Sequence, residues 1–94
     1  MRKKMPSCQV TIINKLGLHA RAAAKFVSVA NTFACQVSIG RDANNLTNGK
    51  NIMSVMMLAA SKGTPLLISA EGEQAEQALE ALQKLIAERF HEEC

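Results

Sequence analysis

Residues 8–30 read Cys8-Gln9-Val10-Thr11-Ile12-Ile13-Asn14-Lys15-Leu16-Gly17-Leu18-His19-Ala20-Arg21-Ala22-Ala23-Ala24-Lys25-Phe26-Val27-Ser28-Val29-Ala30, and the spacing of their apolar side chains changes partway along. Cys8, Val10 and Ile12 alternate with Gln9 and Thr11, the two-residue period of a strand with one buried face. Asn14 to Gly17 interrupts it. From Ala20 onward, Ala23, Phe26, Val27 and Ala30 fall at i, i+3, i+4 and i+7, an apolar stripe down one side of a helix. The alanine run adds intrinsic helix propensity.

Outward from this stretch the same two periods recur. Cys35, Val37 and Ile39 alternate with Gln36 and Ser38, and the turn formers of Arg41 to Asn45 lead to a short third strand at Leu46 to Asn48. Asn51 suits the N-cap of a helix running from Ile52 to Lys62 at the outside, with Gly63 placed to stop it. Pro65 sits where a fourth strand, Leu66 to Ala70, begins and a missing N–H is tolerated; Gly72 turns the chain. Ala75, Ala78, Leu79, Leu82, Leu85, Ile86 and Phe90 then make one stripe of a last helix. Glu73 and Glu76 near its start and Lys84 and Arg89 near its end match the helix dipole. The order is β-α-β-β-α-β-α. Alternating strands imply one wet face, hence an α+β fold: a four-stranded antiparallel sheet with helices on the other side.

At 94 residues the chain has room for one domain, 1–94, able to bury roughly 65% of its unfolded surface. An apolar fraction of 48% against 20% charged excludes a disordered tail. Lys and Arg number 11 and Asp and Glu 8, and a net charge of +3 is too small and too scattered to imply nucleic acid. Three Phe with no Trp or Tyr supply little for base stacking. No targeting segment is visible, and the longest apolar run, Val55 to Ala60, is far short of a membrane span. Cys8, Cys35 and Cys94 are odd in number and widely spaced, which argues against zinc or a disulfide framework and suits reduced thiols in a cytoplasmic protein. Cys8 and Cys35 read as small buried strand residues.

The chemistry concentrates at Gly17-Leu18-His19-Ala20-Arg21, the junction of strand and helix. The first turn of a helix has free backbone N–H groups and a partial positive charge, so it attracts anions, phosphate above all. A neutral His19 imidazole there carries a lone pair for nucleophilic attack. Arg21 adds a permanent cation with a fork matched to phosphate oxygens, and Gly17 permits the tight turn. A histidine at a helix start is also commonly a cap or a surface residue. A Ser-His-Asp hydrolase fits poorly: Asp42 is the only Asp, and no GxSxG elbow appears. His91 reads as a solvated tail residue without a role.

Ile52-Met53-Ser54-Val55-Met56-Met57-Leu58 is the second informative stretch. Val55 and Leu58 share the side that faces the core, and Met57 reads as core packing. Ile52, Met53 and Met56 are left outward, where pliable thioethers suit docking to more than one partner.

Leu16-Gly17-Leu18-His19-Ala20-Arg21-Ala22-Ala23 resembles the phosphohistidine motif of the HPr family, the phosphocarriers of the bacterial phosphotransferase system. Lys50-Asn51-Ile52-Met53-Ser54-Val55-Met56-Met57-Leu58 resembles that family's second signature, and Ala60-Ser61-Lys62-Gly63 the join that follows. The resemblance implies an open-faced β-sandwich with strand order 1-4-2-3 and three helices on one face. It implies that His19 accepts a phosphoryl group on Nδ1 from phosphorylated enzyme I and passes it to an enzyme IIA protein. Arg21 and the N–H groups of Ala20 and Arg21 would hold the phosphoryl oxygens. Leu18, Ala24, Ile52, Met53 and Met56 would ring the site and dock both partners. No cofactor or metal is implied, nor any membrane or nucleic-acid partner, and the protein would act as a monomeric carrier, not an enzyme.

Two positions depart from the family pattern. Many members have Pro where this chain has Ala22, a substitution the phosphate contacts tolerate. Many carry at the place of Asn51 a serine that HPr kinase phosphorylates; Asn offers no hydroxyl, and Ser54, three residues on, projects differently. Met56-Met57-Leu58 and Ser61-Lys62-Gly63 are closer to the nitrogen-related paralogue, with sugar-system HPr the nearest competitor. The rival readings are a small basic α+β binding module for RNA or a regulatory protein, and a regulatory protein that keeps the fold without phosphotransfer.

Overall fold

The computed structural model describes residues 6–92. Its strands are β1 (Ser7–Thr11), β2 (Cys35–Gly40), β3 (Leu46–Asn48) and β4 (Pro65–Gly72), all antiparallel in the order β1-β4-β2-β3. Three helices, α1 (Ala20–Ala30), α2 (Ile52–Met56) and α3 (Ala75–Ala87), alternate with them as expected, and a 3-10 turn, Arg89–His91, follows α3.

Central β4 decides which face is buried. Leu66 stands opposite Val10, and Ile68 lies between Cys8 on one side and Ile39 on the other. Ala70 pairs with Val37. The two-residue period of each strand brings this set to one face, and the stripes of α1 and α3 close over it. Ala22, Ala23, Phe26 and Ala30 join Ala78, Leu79, Leu82 and Ile86 in a single buried cluster with Val37, Ile39, Leu66 and Ile68. Gln9, Thr11 and Gln36 are exposed on the open face. The sheet has the one wet face that the alternating strands imply, and with its helices it forms the open-faced sandwich that the resemblance implies.

Several expectations need correction. α2 stops at Met56, well short of Lys62, and Ala59 adopts a left-handed φ of +49°. The cause is tertiary: the Ala60 carbonyl accepts the Leu18 N–H at 2.8 Å, which draws the chain off the helix axis. Met57 consequently points out, 80% exposed, where core packing was expected, and Leu58 is only half-buried against the core. Cys8 and Cys35 are half-buried strand residues, more accessible than expected. Phe90 is fully buried, yet α3 ends at Ala87 and a turn delivers that ring. His91 is exposed, beside Glu88 at 2.8 Å. Cys94 lies outside the described residues.

Candidate functional site

The segment between β1 and α1 is braced on both sides. Ile12 exchanges backbone hydrogen bonds with the facing loop, its N–H to Thr64 at 3.0 Å and its carbonyl from Gly63 at 2.6 Å. Gly17 has φ +70°, and a Cβ there would stand 2.5 Å from the Ala60 carbonyl oxygen. Only glycine fits so close to that loop. The Asn14 side chain closes the turn, donating from Nδ2 to the Gly17 carbonyl at 2.8 Å.

This turn delivers His19 to the N-cap of α1. Its carbonyl accepts the Ala23 N–H at 2.8 Å, and its Nδ1 accepts the Arg21 N–H at 3.3 Å. His19 thus caps the helix, and its side chain is still 26% exposed. Ala20 opens the helix and is exposed, as is Arg21.

On its other side the ring meets a residue the sequence did not single out. His19 Nε2 lies in direct contact with Glu92 Oε2. Asn14 Nδ2 also donates to Glu92 Oε1 at 3.1 Å. Asn14 is fully buried, and its Oδ1 has no hydrogen-bond partner among the described residues, an arrangement that costs about 1–3 kcal/mol. Flipping the amide would turn Oδ1 against two acceptor oxygens, so the orphaned carbonyl follows from holding both Gly17 and Glu92. Burial pushes the Glu92 carboxyl up, but the hydrogen bonds from His19 and Asn14, with the nearby positive charge of Arg21, outweigh it. The net result is a carboxyl below its ordinary range.

A tight reversal carries Glu92 there. Arg89, Phe90 and His91 have φ of +56°, +55° and +62°, a left-handed run that costs roughly 1–2 kcal/mol per residue. Burial of the Phe90 ring offsets about 1.5–3 kcal/mol of that. Lys25 Nζ donates to the Phe90 carbonyl at 2.7 Å and fastens the turn to α1.

Of the residues expected around the site, Ile52 is 41% and Met53 66% exposed, while Met56 and Ala24 are half-buried, on two helices that pack together. Leu18 is the exception. At 5% exposed it belongs to the core cluster, because the Gly17 turn points it inward, and it supports the site from beneath. Asn14 carried a faint signal, a polar residue just ahead of a forced turn; Glu92 carried none. Among the described residues no group of His, Cys, Asp and Glu could hold a metal ion, and no helix is long and apolar enough to cross a membrane.

A partly exposed imidazole, set at a helix N-terminus beside an exposed guanidinium, is equipped to take up an anionic electrophile. The family described as "PTS HPr component phosphorylation site" matches residues 6–88. The phosphocarrier protein HPr of Pseudomonas aeruginosa is 60% identical over 88 residues, covering 94% of this chain and 98% of that one. A crystal structure of HPr-C-His from Thermoanaerobacter tengcongensis superposes with a TM-score of 0.87 at 42% identity, over 95% of this chain and 99% of that one. A structure of an HPr dimer from the same organism has a TM-score of 0.71 at 43% identity, over 88% and 94%.

Proposed function

The chain belongs to the HPr family of phosphotransferase-system phosphocarriers, and on that premise we propose that His19 accepts a phosphoryl group from phospho-enzyme I and hands it to an enzyme IIA protein. The observation that carries this reading is the placement of His19: partly exposed, capping α1, with Nδ1 beside the Arg21 amide. In transfer, Nδ1 attacks phosphorus as the bond to the donor breaks and its electron pair stays with the donor. The Arg21 N–H, now freed from Nδ1, and the Ala20 N–H can turn to the phosphoryl oxygens, and the Arg21 guanidinium opposes their charge. Such a step needs positioning and charge stabilisation, which this chain's own residues supply without a cofactor.

The protein is then a carrier, a substrate of the enzymes on either side of it. Ile52 and Met53, exposed on α2, with Ala24 and Met56 at its edge, form the face on which donor and acceptor dock in turn. It works as a cytoplasmic monomer of one domain. The test is incubation with labelled phosphoenolpyruvate and either sugar-system or nitrogen-related enzyme I. Acid-labile label on His19, abolished in His19→Ala, is expected, and the donor that works assigns the branch. Absence of label with both donors overturns the reading.

A further inference from the structure

His19, Glu92 and Asn14 form one chain of hydrogen bonds whose direction is fixed by its acceptors. A carboxylate only accepts hydrogen bonds, so the ring nitrogen against Glu92 Oε2 must carry the proton. That nitrogen is Nε2. In the neutral ring Nδ1 is then the unprotonated nitrogen, which agrees with its accepting the Arg21 N–H at a long 3.3 Å. Asn14, fully buried, commits its amide nitrogen to the Gly17 carbonyl and Glu92 Oε1 and leaves its own carbonyl unpaired. The turn that positions His19 and the carboxylate that orients it are thus held by one side chain.

We propose that Glu92, steadied by Asn14, is a positioning residue for phosphoryl transfer: it keeps the His19 proton on Nε2, leaves the Nδ1 lone pair for the donor, and offsets the charge the ring gains. The inference rests on the phosphocarrier reading. As the Nδ1–P bond forms and the donor–P bond breaks, the donor retains the electron pair and the ring retains its Nε2 proton, becoming cationic. Glu92 sits against that nitrogen, on the side of the ring opposite the incoming phosphoryl oxygens. Onward transfer returns the ring to neutrality with the proton still in place. Carboxylates that orient imidazoles for metals act by the same physics.

The test uses the purified chain with ring-15N histidine, observed by NMR, together with single-turnover phosphorylation by phospho-enzyme I. Wild type should show a slowly exchanging His19 Nε2–H resonance. Glu92→Ala should lose that resonance and accept phosphoryl roughly 10- to 100-fold more slowly, and Glu92→Asp should recover part of both. Asn14→Ala should broaden the resonance if it folds; Glu92→Ala decides the matter if it does not. An unchanged resonance in Glu92→Ala, or a transfer rate equal to or above wild type, overturns the proposal. The resonance is read without phosphorylation, so failure of wild type to be labelled would count against the carrier reading alone.

Discussion

Lys25 Nζ donates to the Phe90 carbonyl at 2.7 Å, so the turn after α3 is fastened to the helix that begins at His19. The two residues are 65 apart in sequence. One is the middle of α1, the other the buried ring that holds a left-handed reversal in place.

The turn should fail when its anchor is removed. Phe90→Ala is expected to lose about 3–5 kcal/mol, as for other buried aromatic truncations, and Lys25→Met about 1–3 kcal/mol, for one hydrogen bond from a charged donor. Urea unfolding monitored by far-UV circular dichroism measures both. A loss below about 1 kcal/mol in Phe90→Ala would show that the ring is not anchored in the core.

Acid should loosen the same region. The Glu92 carboxyl lies below its ordinary value of 4.5 in the folded chain, so it binds fewer protons folded than unfolded. Its contribution to stability is present above the unfolded value and is lost as pH falls through the depressed folded one. Melting temperatures from pH 6 downward should therefore fall less steeply for Glu92→Ala than for wild type. Parallel curves would sink the assignment.

The sheet and the helix stripes were legible in the sequence because each rests on a local period: Val37 and Ile39 in β2, or Leu79, Leu82 and Ile86 in α3, declare their faces without help. His19 and Arg21 were legible because a helix start has known chemistry. What local pattern could not reveal came from contacts across the chain. The hydrogen bond from Leu18 to Ala60 shortens α2 and turns Met57 outward. The reversal at Arg89–His91 contains no glycine to announce it, so neither the route of Phe90 into the core nor the arrival of Glu92 at His19 could be read from spacing.

Asn51 behaves as a cap: its Oδ1 accepts the Ser54 N–H at 3.0 Å at the start of α2. That role needs a side-chain oxygen and no hydroxyl. Incubation with HPr kinase and ATP should leave every serine unlabelled by mass spectrometry, whereas Asn51→Ser keeps the cap and supplies a hydroxyl at that position. Stoichiometric labelling of Ser54 in wild type would contradict this.

Docking and stability should separate cleanly between two apolar residues. Met53 is 66% exposed and Leu82 fully buried. Met53→Ala should shift stability by less than about 0.5 kcal/mol while weakening binding to enzyme I in calorimetric titration. Leu82→Ala should cost about 2–5 kcal/mol and leave the affinity of the folded fraction unchanged. A large stability loss in Met53→Ala would remove α2's outer side from the docking face.

Gly17 makes the sharpest case. Alanine there would have to keep φ at +70° with its Cβ 2.5 Å from the Ala60 oxygen, and the conformational penalty alone is roughly 1–2 kcal/mol. Relief requires moving the Ala60 carbonyl, which holds the Leu18 N–H next to His19. Gly17→Ala should therefore lower stability by about 2 kcal/mol or more and slow His19 phosphorylation further than the unfolded fraction accounts for. Gly63 in the facing loop, with open space around its missing Cβ but φ +93°, is the control: Gly63→Ala meets backbone strain without the clash, so it should cost stability yet leave the transfer rate of the folded protein near wild type. Equal effects of the two substitutions on that rate would mean the Gly17–Ala60 approach does not set the position of His19.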